Sequence, residues 1–259
     1  MSDLMRKLEK INMKKKGLQN RLGAKLPLCI LVDTSGSMKK NNNIDKLNEG
    51  LNIYRQQMLL DKVACDHIEI ALISFGNGGT NLAVDFEDIK DQKFPVFTAD
   101  EGTPMCEAIN LGLDTLEEQM KIYAEEGISN HPPHLIIMTD GYPTASGQYD
   151  SEGYAIPLEK DSLELKRTLV KFEKFKAEYN LVSIGVGVEL DDRYYLDLFA
   201  SSPENVLKMG DEENIVEFFK LLSKSSSVLS RAVPNPNNKI ELKKQDDQGL
   251  FKPWQKINS

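Results

Sequence analysis

Between Ile30 and Met38 an apolar run ends in one carboxylate and two hydroxyl groups that are spaced two residues apart. Asp33, Ser35 and Ser37 offer only oxygen atoms to a ligand. Oxygen donors suit a hard cation such as Mg²⁺, Mn²⁺ or Ca²⁺, whereas Zn²⁺ usually recruits His or Cys. Asp and Ser are also common in turns and helix caps, so the spacing alone is a moderate signal for a cation site.

The residues that precede Asp33 indicate where this group lies. From Leu26 to Val32 the chain is apolar almost without interruption, which is typical of a strand buried on both faces of a parallel sheet. Asp33 is then predicted to lie at the carboxyl end of that strand. Ligands of open α/β sheets bind beyond the carboxyl ends of the strands, so the predicted position favours a binding site.

Two later stretches strengthen the metal interpretation. Glu101-Gly102-Thr103-Pro104 precedes a long helical pattern, and Ile136 to Gly141 is a second buried strand that ends in Asp-Gly. Together with the DxSxS spacing they resemble the von Willebrand factor A family, whose metal-ion-dependent adhesion site combines these three parts. The resemblance covers roughly residues 26–233. It implies that the metal is bound by the hydroxyl groups of Ser35, Ser37 and Thr103 and, directly or through water, by Asp33 and Asp140.

Apolar strands alternate with amphipathic helical patterns along the chain. This order predicts a three-layer, doubly wound α/β fold with a mostly parallel sheet, one antiparallel edge strand at 81–86, and helices on both faces. Thr103 and Pro104 are the expected N-cap and first residue of one helix. We expect three regions: a basic amphipathic helix at 1–25, a von Willebrand factor A domain at 26–233 and a tail at 234–259.

The composition is that of an ordinary globular protein, with 259 residues, 28% charged residues and a net charge of −8. This charge argues against a nucleic-acid-binding surface. Three cysteines without metal-type spacing are interpreted as reduced thiols. The first residues contain no apolar signal core, and no apolar run reaches membrane-spanning length. We therefore expect a cytoplasmic protein without a membrane span.

Three other motifs do not support a site. The glycine cluster at 76–79 lacks the Gly-Lys-Ser/Thr ending of a phosphate-binding loop, and Gly185 and Gly187 lack the third glycine of a dinucleotide fingerprint. His131 and His134 flank two prolines and have no further His or Cys nearby in the sequence. We expect this segment to be a surface loop and not a metal pair.

The finer resemblance is to small stand-alone bacterial proteins of tellurium-resistance and related stress loci, which are often grouped with a protein kinase and a phosphatase. It implies an adaptor without enzymatic activity, in a stress-response or phage-defence system, that binds an Asp or Glu of a partner through the metal. Tyr142, Tyr149 and Tyr154, in the polar segment after Asp140, are candidate partner contacts or part of an insertion without a role. The alternatives are a metal-dependent hydrolase or phosphotransferase, for which no general base is evident, and a domain clamped structurally by its metal.

Overall fold

The computed structural model describes residues 24–76, 79–209, 214–246 and 249–254. The predicted basic amphipathic helix lies outside these residues, except for Ala24 and Lys25, which lead directly into the first strand. No helix in the described ranges has the length and apolar character needed to cross a membrane.

Seven strands form one mixed sheet in the order β3-β2-β1-β4-β7-β8-β9, and two further strands form a separate antiparallel pair. The strands are β1 Leu26–Thr34, β2 Ile68–Gly76, β3 Gly79–Asp88, β4 His134–Thr139, β5 Thr144–Tyr149, β6 Ala155–Pro157, β7 Val182–Val188, β8 Val206–Met209 and β9 Phe251–Lys252.

Helices connect these strands in the described part of the chain. The α-helices are α1 Asn43–Leu60, α2 Lys62–His67, α3 Met105–Glu126, α4 Leu163–Tyr179, α5 Tyr194–Leu198, α6 Asn214–Ser230 and α7 Leu242–Gln245, and the two 3₁₀ turns are Gly36–Asn42 and Pro203–Asn205.

The pairing of the strands confirms the predicted mostly parallel sheet. β1 pairs in parallel with β2 and β4, β4 with β7, and β7 with β8, whereas β3 is the expected antiparallel edge strand. The tail adds β9 antiparallel to β8 at the opposite edge. This second antiparallel edge strand was not predicted, because two residues are too short for a recognisable alternating pattern.

Alternation along β1 divides the core into two layers. Leu28, Ile30 and Val32 pack in the layer that contains α1 and α6, whereas Cys29 and Leu31 pack in the layer that contains α3 and α4. Both faces of β1 are thus buried, as expected for a central strand of a parallel sheet. This packing fixes the position of Asp33 at the end of the strand.

The loop at Thr103 differs from its prediction. Helix α3 begins at Met105 with Pro104 as its N-cap, so Thr103, the expected N-cap, lies one residue before the observed cap. The Thr103 N–H donates to the Thr144 hydroxyl, and the Thr103 carbonyl accepts from the N–H of Thr144, the first residue of β5. The predicted cap is wrong because these tertiary hydrogen bonds determine the conformation of Thr103.

The predicted surface loop at 131–134 is also wrong. The side chains of His131 and His134 are both completely buried. The tail covers them: the Ile240 N–H donates to His134 Nε2 at 3.1 Å, and Asn238 Nδ2 lies 3.4 Å from His131 Nδ1. The sequence near the histidines could not indicate this burial, because the covering residues are about a hundred positions away.

Candidate metal centre

The candidate residues meet because β1 and β4 are parallel neighbours. Val32 lies opposite Met138 in the ladder, so Asp33 and Thr139, the next residue of each strand, lie side by side. Asp33 is completely buried, and Asp140 follows directly in the loop after β4. The topology thus places both predicted carboxylates at the carboxyl edge of the sheet, where ligands of open α/β sheets bind.

The carboxylate of Asp33 is held by two hydrogen bonds. The Ser35 N–H donates to Oδ1 at 2.8 Å, and the Thr139 hydroxyl donates to Oδ2 at 2.5 Å. The Thr139 hydroxyl in turn accepts from the Gly141 N–H at 3.1 Å. Asp33 therefore has a fixed orientation, with one oxygen bonded from the β1 loop and the other from β4.

A chain of hydroxyl groups joins the β1 loop to Asp140. The hydroxyls of Ser35 and Ser37 are 2.8 Å apart, and Ser37 donates to Asp140 Oδ1 at 2.6 Å. Ser35 precedes the 3₁₀ turn and does not cap it with its side chain. Its hydroxyl is therefore directed to the site and does not serve the helix end.

Thr103 is brought to the same place by the loop that precedes α3. A Cβ atom added at Gly141 would lie 3.3 Å from Ser37 Oγ and 3.6 Å from Thr103 Oγ1. Both hydroxyls therefore converge on Gly141. The five residues predicted from the sequence thus form one cluster, which is made from three loops.

The electrostatics of the cluster favour a cation. Burial and the charge of Asp140 raise the pKa of Asp33 to about 7, despite the opposing hydrogen bonds from Ser35 and Thr139. Burial also raises the pKa of Asp140. Neither carboxylate forms an ion pair with a described Lys or Arg. A divalent cation would stabilise both ionised carboxylates.

The donor set fits a hard cation better than a soft one. Two carboxylates and three hydroxyls supply only oxygen, which is the donor atom preferred by Mg²⁺, Mn²⁺ and Ca²⁺. Within the described ranges, no group of three or more His, Cys, Asp and Glu side chains is arranged to hold a metal ion. The site therefore depends on its hydroxyl groups, and removing any one of them changes the donor set.

Sequence reasoning did not identify several residues around the cluster. Thr139 orients Asp33, and Thr144 fixes the backbone of Thr103. The Asn41 side-chain amide donates to the carboxylate of Glu189, which has a left-handed φ of 51° in the loop after β7. Of these residues, only Thr139 could have been identified from the sequence, because it directly precedes Asp140. The others depend on contacts between distant segments.

The candidate partner tyrosines lie in and beside the β5-β6 pair. Tyr142, Tyr149 and Tyr154 are all exposed. The pair is attached to the candidate site through Thr144, whose N–H donates to the carbonyl of Thr103 at 2.9 Å. The tyrosines are thus presented to solvent on a segment bonded to the site.

A doubly wound sheet with two carboxylates and three hydroxyls at its carboxyl edge defines a class of α/β domains that includes metal-dependent binding modules. Residues 28–221 match the von Willebrand factor type A domain, and the chain belongs to that family. The family is known for metal-dependent adhesion and protein interaction. A comparison with curated protein sequences gave no match.

Solved structures of low sequence identity share the fold. The pilus adhesin SpaC from Lactobacillus rhamnosus GG superposes with a TM-score of 0.59 at 17% identity, over 79% of this chain and 31% of the SpaC chain. The vWF domain of the pilus tip protein Mfa5 from Porphyromonas gingivalis gives a TM-score of 0.55 at 13% identity, over 82% of this chain and 98% of the Mfa5 domain.

A von Willebrand factor type A protein from Catenulispora acidiphila gives a TM-score of 0.53 at 14% identity, over 79% of this chain and 43% of the other chain. This chain thus corresponds to about a third of SpaC and nearly all of the Mfa5 domain.

Proposed function

We propose that this protein is a metal-dependent protein-binding module. Five residues hold a divalent cation, and an Asp or Glu side chain of a partner protein completes its coordination. The proposed ligands are Asp33, Ser35, Ser37, Thr103 and Asp140. The observation that carries the proposal is the convergence of the buried Asp33, the partly buried Asp140 and three hydroxyls, with no described Lys or Arg paired to either carboxylate.

Mg²⁺ is the proposed cation, with Mn²⁺ and Ca²⁺ as substitutes of the same hard character. When bound, the cation supplies a positive charge that attracts the partner's carboxylate. The chain's own residues fix where that charge lies. Ser35 and Thr139 orient Asp33, and Ser37 bonds Asp140, so the donors are arranged before any partner arrives. Such preorganisation reduces the ordering cost of binding.

The partner surface extends beyond the cation in this proposal. Tyr142, Tyr149 and Tyr154 are exposed in and next to the β5-β6 pair and present aromatic area, which is enriched in protein interfaces. A tyrosine contributes contact area at a low entropic cost, because its ring has few rotatable bonds. We propose that these side chains contact the partner around its acidic residue.

The proposal does not include catalysis. The three histidines of the chain, which are the usual general bases, lie near the amino ends of β2 and β4, at the opposite edge of the sheet from the cluster. A metal-dependent hydrolase or phosphotransferase would need a positioned proton acceptor beside the carboxylates. A purely structural clamp would use the same ligands but would bind no partner.

The cellular setting is the finer part of the proposal. The sequence around Asp33, Thr103 and Asp140 resembles stand-alone bacterial proteins of tellurium-resistance loci, and we propose an adaptor role with a kinase or phosphatase of such a stress-response or phage-defence system. A cytoplasmic location is supported by three unpaired cysteines. In this proposal residues 26–233 form the binding domain, flanked by the basic segment 1–25 and the tail 234–259.

Affinity purification from the native host tests the proposal. Wild-type protein and the Asp33→Ala variant are each used with Mg²⁺ and with a chelator, after circular dichroism has confirmed that both are folded. We expect defined partners that are lost with the chelator and with the variant. Partners retained under all four conditions would contradict the metal-bridged interaction, and Mg²⁺-dependent phosphoester turnover that is lost in Asp33→Asn would favour the hydrolase.

A further inference from the structure

A groove opens beside the candidate metal centre, between the carboxyl end of β1 and the segment 95–98. We call it the β3 groove; its volume is 490 Å³, and its described walls include Thr34, Ser74, Thr80, Asn81, Val96 and Phe97. Thr34 lies between two proposed metal ligands, Asp33 and Ser35. The groove therefore borders the end of β1 that carries these ligands, and it continues along β3.

The walls of the groove are held in place by the protein itself. Asn48 on α1 binds Phe97 twice: its Nδ2 donates to the Phe97 carbonyl at 2.9 Å, and its Oδ1 accepts from the Phe97 N–H at 2.7 Å. The Asp100 N–H donates to the carbonyl of Thr34 at 2.8 Å. These bonds fix the segment 95–98 relative to the strands, so the groove exists before a ligand binds.

A tight strand contact forms the other wall. Gly76 has a φ of 151°, and a Cβ atom there would lie 2.5 Å from the backbone of Thr34. The end of β2 therefore lies directly against the end of β1, and only glycine permits this approach. The result is a continuous wall from the carboxyl end of β1 through β2 to β3.

The chemistry of the walls selects the occupant. The described residues that line the groove carry no charged side chain, although 28% of the whole chain is charged. Thr34, Ser74 and Thr80 offer hydroxyls that can bind a peptide backbone. Val96 is 81% exposed and offers an apolar contact. Burying a charged side chain against such walls would be unfavourable, because no described wall residue carries a compensating charge.

The shape of the groove fits an extended polypeptide. The strand residues from Gly79 to Ala83 that border it span roughly 13 Å at the rise of an extended chain. We infer that the β3 groove binds the stretch of the partner polypeptide adjacent to the metal-binding Asp or Glu, and that this stretch is extended and uncharged. The inference rests on the proposed function, in which the partner's carboxylate binds the metal and so anchors the stretch next to the β1 end that contains Thr34.

Selection from a peptide library tests the inference. Peptides with a fixed central Asp and randomised residues on both sides are selected on the full wild-type chain in Mg²⁺ and eluted with chelator. We expect uncharged residues to be enriched on one side of the Asp. The affinity of a selected peptide and of Mn²⁺ alone is then measured for the variants Val96→Glu, Val170→Glu and Asp33→Ala.

Val170→Glu is the matched control, since Val170 is 73% exposed on α4, on the opposite face of the sheet, and the two variants have the same net charge. We expect Val96→Glu to weaken peptide binding at least tenfold and Val170→Glu less than twofold, with Mn²⁺ affinity unchanged in both. A peptide with Lys introduced on the groove side should bind Val96→Glu better than wild type.

The outcomes separate this inference from the proposed function. If Val96→Glu and Val170→Glu bind the peptide equally well while Asp33→Ala does not bind it, the assignment of the groove as a peptide site is overturned. The metal-bridged interaction then stands. If no peptide is enriched in a Mg²⁺-dependent way, or if Asp33→Ala binds the peptide as wild type does, the proposed function fails and the groove assignment fails with it.

Discussion

Ser37 Oγ donates a 2.6 Å hydrogen bond to Asp140 Oδ1, although the two residues are 103 positions apart in the sequence. The bond joins the loop after β1 to the loop after β4. Both residues are proposed metal ligands, so the contact shows that the two loops are already arranged around one centre. The Ser37 hydroxyl therefore has two roles in this account: it is a proposed metal ligand, and it joins the two loops.

Removal of this hydroxyl is expected to weaken metal binding. Ser37→Ala loses one oxygen donor and leaves Asp140 without its hydrogen bond, and we expect at least a tenfold lower Mg²⁺ affinity by calorimetry. Ser37→Thr retains the hydroxyl and serves as the control, with an expected loss of less than threefold. Equal affinities for Ser37→Ala and wild type would exclude Ser37 as a ligand.

Gly141 is expected to be intolerant of a side chain for a reason specific to the site. A Cβ atom there would lie at an ordinary contact distance of 3.6 Å from Thr103 Oγ1 but only 3.3 Å from Ser37 Oγ, so Gly141→Ala crowds the Ser37 hydroxyl. We expect a weaker Mg²⁺ affinity with an almost unchanged melting temperature. Gly79→Ala is the control, because a Cβ atom at Gly79 meets no atom within 4 Å. Metal binding by Gly141→Ala at the wild-type level would refute this crowding.

Because His134 is buried, we expect the stability of the folded protein to fall in acid. Its Nε2 accepts from Ile240, which leaves Nδ1–H to donate to the Pro132 carbonyl, and burial lowers its pKa to about 4. Because the folded-state pKa lies below the ordinary value of 6.5, this contribution to stability is complete above pH 6.5 and is lost as the pH falls through about 4.

Urea unfolding at several pH values between 7.5 and 4 measures this effect. His134→Gln cannot titrate, so we expect it to be less stable than wild type at pH 7.5 but to lose less unfolding free energy on acidification. Parallel stability curves for the two proteins would show that another group causes the acid sensitivity.

Because α1 packs closely against α6, we expect the substitution Gly50→Ala to destabilise the protein. Replacing an interior helix glycine with alanine ordinarily stabilises by about 1 kcal/mol. At Gly50, however, the added Cβ would lie 2.4 Å from Cδ2 of Phe219. Overpacking of this kind costs about 1 to 3 kcal/mol, so we expect Gly50→Ala to lower the free energy of unfolding.

Thermal and urea unfolding of Gly50→Ala, Phe219→Leu and the double variant test this contact. The smaller leucine should relieve the clash. The double variant should therefore lose less unfolding free energy than the two single variants lose together. A Gly50→Ala protein that is more stable than wild type would mean that α1 and α6 separate readily.

The sequence allowed the central strands and the site to be predicted together, for one physical reason. An uninterrupted apolar strand such as Leu26 to Val32 must lie inside a parallel sheet, and its first polar residue then lies at the edge where ligands bind. Asp33 and Asp140 each occupy such a position. Thr103 could be placed only through the family resemblance, because its loop has no strand of its own.

Other features depended on contacts that no local pattern reveals. The burial of His131 and His134 results from the tail, which packs over them from about a hundred residues away. The polar segment after Asp140 shows no apolar alternation and so gives no strand signal, yet its residues pair as β5 and β6. Strands with a clear apolar pattern were therefore predictable from the sequence, but burial by a distant segment and pairing of polar strands were not.

The central claim is that Asp33 and its neighbours bind a hard divalent cation, and a Mn²⁺ titration tests it most directly. Mn²⁺ binding is followed by electron paramagnetic resonance for wild type, Asp33→Ala and the remote control Asp91→Ala. We predict one bound Mn²⁺ per chain for wild type and Asp91→Ala, displaced by excess Mg²⁺, and none for Asp33→Ala. Mn²⁺ binding of equal strength in all three folded proteins, or in none of them, would contradict the assignment of the metal centre.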